Sequence, residues 1–166
     1  QGEALSRIGG LPTHIPEDVP WKGEEWEEWG FLLQLWGTDI PGCPEEVMCI
    51  QVYQQWEEGT EPLPELVVLK HDAKPIDDYA DIHDHPDISE FRIEFEDRDE
   101  PQDLDVLADE NSHVFDSKLG GLDPWKCGPK GAVFVGQITE STGGFIFGGV
   151  DLVIYLVDGK FITRMA

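Results

Sequence analysis

Basic residues are scarce in this chain: 11 Lys and Arg stand against 35 Asp and Glu in 166 residues, a formal charge of −24 at pH 7. So acidic a protein repels phosphate backbones and anionic headgroups alike, which argues against binding nucleic acid or a charged membrane surface. Cysteine is scarcer still, with Cys43, Cys49 and Cys127 alone. An odd count at low density is no disulfide framework and fits a reducing, cytoplasmic compartment. No apolar run approaches the roughly 20 residues of a membrane span, and no basic stretch followed by an apolar one is present near residue 1. Helix signals are weak, with single acidic turns read at 24–29 and 103–111. What is plentiful is apolar material: hydrophobic residues make up 40%, with six Trp and eight Phe, enough for a core in spite of the charge.

Three blocks recur in the same order. Ser6-Arg7-Ile8-Gly9-Gly10-Leu11 returns as Ser117-Lys118-Leu119-Gly120-Gly121-Leu122, and each copy is followed by a Trp, Trp21 and Trp125. Phe31-Leu32-Leu33-Gln34-Leu35 returns as Phe134-Val135-Gly136-Gln137-Ile138. Ile50-Gln51-Val52-Tyr53 is matched by Leu152-Val153-Ile154-Tyr155. The ordered set points to an internal duplication, with related β-rich halves at 5–70 and 113–166 packed as one globular domain. Short apolar runs at 31–35, 48–54, 66–69, 134–138 and 150–157 read as buried strands. Asp158-Gly159 between apolar runs reads as a hairpin. Phe91, Ile93 and Phe95 alternate with charge, which predicts a half-buried strand with all three turned inward. With 12 Pro and 18 Gly the fold class is mainly β, α+β at most, with a few short helices. Residues 71–112 form an acidic connection between the halves, and 72–110 alone hold 16 of the 35 acids against three bases.

Together, the Ser-Arg-Ile-Gly-Gly-Leu-Pro segment at 6–12, the Phe-Leu-Leu-Gln-Leu strand at 31–35 and Cys49-Ile50-Gln51-Val52-Tyr53 resemble the bacterial YwqG-like family. The second half, with 117–122, Gln137 and Tyr155, is similar to the same pattern, while the acidic centre lies outside it. The resemblance implies a β-rich, internally duplicated fold without established catalytic residues. It also implies a distant relation to programmed-cell-death-2-type chaperones of a basic ribosomal protein, and to immunity proteins encoded beside secreted toxins. Many members of the family carry a Cys-rich insertion near the first strand, and here only Cys43 and Cys49 stand nearby.

Several residue groups could carry chemistry. Glu24-Glu25-Trp26-Glu27-Glu28-Trp29 sets two Trp three apart among four Glu, so that on a helical turn both would share one face. Aromatic anchors ringed by complementary charge are a recurrent interface pattern; the competing reading packs both Trp into the core. Further candidate contacts are Asp77, Asp78, Asp81, Asp84, Asp97, Asp99 and Glu100 in the acidic connection. His83 and His85, spaced to share a face of an extended chain and flanked by Asp, are weak candidate metal ligands; no third ligand stands at a known spacing, and a solvated acidic loop is the favoured reading. Cys43, Cys49 and His71 are a weaker set, because six-residue Cys spacing is not that of a zinc knuckle. Neither a nucleophile elbow nor a phosphate-binding Gly loop is present.

These observations predict a non-enzymatic protein without a cofactor that binds and neutralises a basic protein partner. The specific expectation is an immunity protein against a secreted antibacterial toxin such as a nuclease, whose cleft must be basic to hold phosphate. The alternatives are a chaperone or adaptor for a basic client such as a ribosomal protein, and a metal-dependent enzyme built on His83 and His85.

Overall fold

In a computed structural model, residues 5–21, 23–55, 64–78, 80–86, 88–100, 116–140, 142 and 149–166 are described. The longest apolar stretches form the longest strands. Strand β3 (Trp29–Trp36) follows two short strands, β1 (Arg7–Ile8) and β2 (His14–Ile15), and pairs antiparallel with β4 (Val47–Gln55). Then come β5 (Pro64–Lys70), β6 (Lys74–Pro75), β7 (His83–Asp84) and β8 (Phe91–Arg92). The second half supplies β9 (Lys118–Leu119), β10 (Val133–Ile138), β11 (Leu152–Val157) and β12 (Lys160–Met165). Helical structure is confined, among the described residues, to 3₁₀ turns at Gly23–Glu28 and Gly37–Asp39. The fold is thus mainly β, and among the described residues no helix is long and apolar enough to cross a membrane. The acidic turn read at 103–111 lies outside the described residues.

The first sheet runs β5-β4-β3-β1-β8, with β7 parallel to β3, and the second runs β12-β11-β10-β9. A small β2-β6 ladder stands apart. The two sheets share details that the recurring blocks place at matching positions. Arg7 pairs with Gln34 and Ile8 with Leu33, just as Lys118 pairs with Gln137 and Leu119 with Gly136. The register between the two long strands slips between Phe31 and Leu33 in one sheet and between Phe134 and Gly136 in the other. Each Gly-Gly turn starts with a positive-φ glycine, Gly9 or Gly120, whose N–H donates 2.7 Å to the residue at that slip, Leu32 O or Val135 O. Gln34 Nε2 donates to Leu5 O at 2.7 Å, and Gln137 Nε2 to Asp116 O at 2.8 Å. Ser6 Oγ accepts from the Trp36 N–H and Ser117 Oγ from the Thr139 N–H, at 2.8 and 2.9 Å.

The main core lies between the sheets. It joins Ile8, Leu33, Leu35, Ile50 and Val52 of the first to Val135, Ile138, Leu152 and Ile154 of the second, so both halves bury their apolar faces in one cluster. The other face of the first sheet carries an aromatic cluster of Trp21, Trp29, Phe31, Tyr53 and Ile82. Beside it runs a buried amide network, in which Gln51 Nε2 donates to Gln34 Oε1 at 3.0 Å and to His14 O at 2.9 Å. Tyr53 Oη donates to Gln51 Oε1 at 2.6 Å. This network holds the N-terminal segment over the sheet.

The expected strand at 91–95 differs from that reading. Strand β8 ends at Arg92, and only Ile93 packs against the core. Phe91 and Phe95 are 48% and 49% exposed. The face is the expected one, since Ile93 packs inward, but the cover is short: β8 is a two-residue strand on the two-residue β1, at the end of its sheet among the described residues, and the core reaches Ile93 without covering the rings on either side of it.

Candidate partner-binding surface

The 3₁₀ turn at Gly23–Glu28 begins on a positive-φ Gly23, carries Glu24 and Glu25 in its first turn, and buries none of its residues fully. Glu24, Glu25 and Glu27 are exposed; Glu28 is half-buried and accepts from Gln55 Nε2 at 2.8 Å. The helical turn stops at Glu28 because Trp29 already belongs to β3, which splits the two Trp expected on one face. Trp29 lies in the aromatic cluster at 8% exposure, 6.3 Å from the ring of Trp21, and is unavailable to a partner. Trp26 is half-buried and stacks on the imidazole of His83, with centroids 4.5 Å apart and planes 21° apart.

That stack joins two segments far apart in sequence. Strand β7 lies parallel to β3, with His83 opposite Gly30 and Asp84 opposite Phe31, so the segment at 80–84 runs up to the Glu-rich turn. Ile82 of that segment enters the aromatic cluster, and Ala80 packs against it. Exposed Asp81 and Asp84, close to His83 in the chain, therefore lie in the region of the Glu-rich turn, while Asp77 and Asp78 are exposed earlier in the chain, where the Asp77 carbonyl accepts from the Ala80 N–H. Carboxylates within about a Debye length of 10 Å reinforce one another's field at physiological salt, which a linear sequence does not convey.

Asp97, Asp99 and Glu100 follow β8 instead. Asp97 and Asp99 are exposed. Glu100 is engaged: its carboxylate takes the Lys118 ammonium at 2.6 Å and the Leu122 N–H at 2.8 Å, tying the acidic connection to the second Gly-Gly turn. Both its oxygens are thus engaged within the chain, unlike those of a freely exposed acid.

His83 and His85 differ in exposure, the first half-buried and the second buried. His83 lies against Trp26, whereas His85 is buried at 4% exposure and its carbonyl closes a turn with the Ile88 N–H. Among the described residues no group of three or more His, Cys, Asp or Glu is arranged to hold a metal ion. Cys49 is fully buried, and burial pushes its thiol up to about 12, with Cys43 adding to the effect. His71 instead meets Glu45 O at 2.8 Å.

One signal that separates the halves was legible in the sequence and bears directly on the site. Residues 116–166 hold five acids and five bases, so the whole net charge of −24 resides in residues 1–115. Residues 116–166 are electrically balanced, and the net charge that could steer a cation or a basic protein belongs to residues 1–115. No protein-family model, no curated protein and no solved structure matches the chain.

Proposed function

We propose that this protein binds and neutralises a basic protein partner through the acidic face around Trp26, as an immunity protein against a secreted antibacterial toxin. A nuclease is the class that fits, because its phosphate-holding cleft is a basic concavity that an acidic plug complements. The observation that carries the reading is the confinement of the net charge to residues 1–115, together with the gathering of Glu24, Glu25, Glu27, Asp81 and Asp84 around one half-buried Trp. Steering of this kind lifts association rates towards 10⁸ M⁻¹s⁻¹ at low salt, which suits capture of a toxin before it acts. The matching Gly-Gly turns and Gln positions in the two sheets support the further proposal that the halves are copies of one unit, as in the YwqG-like pattern.

The test is capture of the partner from the native host with tagged protein, followed by association kinetics at increasing ionic strength. A basic partner is expected, with an association rate that falls steeply with salt. In E24Q/E25Q/E27Q/E28Q the rate at low salt should drop while the thermal unfolding midpoint holds or rises. A partner without basic character, or salt-insensitive kinetics, refutes the reading.

A further inference from the structure

Phe91 and Phe95, nearly half exposed, flank an Ile93 that reaches the main core. Beside them lies an open groove of about 260 Å³ lined by Leu5, Ser6, Trp36, Asp39, Ile93 and Phe95. Its floor is rigid. Ser6 is buried, and its hydroxyl donates to Asp39 Oδ2 at 2.6 Å while accepting from the Trp36 N–H at 2.8 Å. Among the described residues β8 is the terminal strand of its sheet. Ile93 N–H donates inward to Ser6 O at 3.3 Å, so strand alternation turns the peptide N–H and C=O of Arg92 to the open side. Residues 90–100 carry six acids against two bases, and Glu90, Glu94, Glu96 and Asp97 are all exposed.

We infer that this edge and groove dock an extended basic segment of the partner, one in which Lys or Arg alternates with large apolar side chains. The segment adds as a strand to β8, its apolar side chains cover Phe91 and Phe95 and enter the groove, and its cations face the carboxylates of residues 90–97. Strand addition supplies main-chain hydrogen bonds, and alternate side chains supply specificity. Charge selects this occupant over a second copy of the chain, since self-pairing would bring two segments of the same acidic excess together. The inference rests on the basic-partner reading and assigns that partner a second, apolar point of attachment away from Trp26.

Two synthetic decapeptides test it against the whole protein: one alternating Lys with Leu, one alternating Lys with Ser. At low salt the Lys-Leu peptide should bind at least about tenfold more tightly, as expected for filled apolar contacts at an interface. F91S/F95S should abolish that preference while Lys-Ser binding persists, and Phe95→Leu should retain most of it. Methylation of alternate peptide nitrogens in the Lys-Leu peptide should weaken it as well. Equal affinities for the two peptides, or a preference that survives F91S/F95S, overturn the groove and leave the basic-partner reading standing. Failure of both peptides to bind at low salt overturns both.

Discussion

Gln34→Leu is the substitution that most directly probes how the first sheet holds its N-terminal segment. Gln34 is fully buried, and its amide is shared among four groups. Nε2 donates to Leu5 O at 2.7 Å and to Thr13 Oγ1 at 2.8 Å, while Oε1 accepts from the Thr13 N–H at 3.3 Å and from Gln51 Nε2 at 3.0 Å. Leucine matches the volume closely, so little cavity forms and the cost is polar. Gln51 keeps its bond to His14 O, and Thr13 Oγ1 keeps His14 Nδ1. The Leu5 carbonyl and the Thr13 N–H lose the partner that Gln34 supplied. At about 1–3 kcal/mol for each stranded group, partly offset by the added apolar surface, the loss should be about 2–4 kcal/mol. For a chain of this size that lowers the unfolding midpoint by about 4–16 °C. Denaturant titration gives the free energy, and hydrogen exchange should show lost protection first in residues 5–15. A change below about 0.5 kcal/mol, the level of an ordinary surface substitution, would refute the claim that the network pins this segment.

Other outcomes follow from single positions. Gly9 has φ +66° and its α-carbon faces the Ser89 backbone, so a methyl group there would collide with the Ser89 carbonyl; Gly42 has φ +70° with nothing within 4 Å. Gly42→Ala should cost only the left-handed penalty of about 1–2 kcal/mol, while Gly9→Ala should cost clearly more by the same chemical denaturation. Equal costs would show that the close approach of 88–90 to the Gly-Gly turn is soft. Asp151 is held above the ordinary carboxylate range, first by burial and also by the charge of Glu140, against the lowering effect of the Glu140 N–H at 3.2 Å. A raised carboxyl binds more protons folded than unfolded, so its contribution to stability falls as pH rises through the window above about 3.9. Asp151→Asn removes that dependence, and urea midpoints should shift in favour of the variant between about pH 4 and pH 7. A difference that is flat or reversed in sign contradicts the sign of the shift.

The strands at 31–35 and 48–54 were legible because β3 and β4 are buried on both faces, where length and continuity of an apolar run suffice. The hairpin was legible for a local reason. Asp158 and Gly159 both have positive φ, 48° and 76°, and close a two-residue turn between Val157 and its partner Lys160. What the sequence withheld depends on distant contacts. Nothing local tells that β7 lies parallel to β3, so the gathering of Glu24–Glu28 with Asp81 and Asp84 was invisible although both groups were singled out. The split of Trp26 from Trp29 turned on where one 3₁₀ turn ends. The exposure of Phe91 and Phe95 turned on how far the core extends along a short strand, since Ile93 between them is covered and they are not, and period-two alternation carries no such information.

The fold keeps its charge apart from its cohesion. Strands β3, β4, β10 and β11, the central strands of the two sheets, contain no Asp, Glu, Lys or Arg. Their buried polar side chains include the amides Gln34, Gln51, Gln54 and Gln137, which bond without the desolvation cost of a buried ion. Among the described residues the acids lie on the turns, edges and loops around those strands, where mutual repulsion is screened by solvent. Removing carboxylates around Trp26 should therefore relieve repulsion and leave the fold intact or firmer, whereas altering an amide inside the sheets should loosen it. If charge neutralisation unfolded the protein, the acids would be structural and the electrostatic account of partner binding would lose its basis. If it instead leaves the fold standing and abolishes capture of a basic protein, the surplus charge exists for recognition.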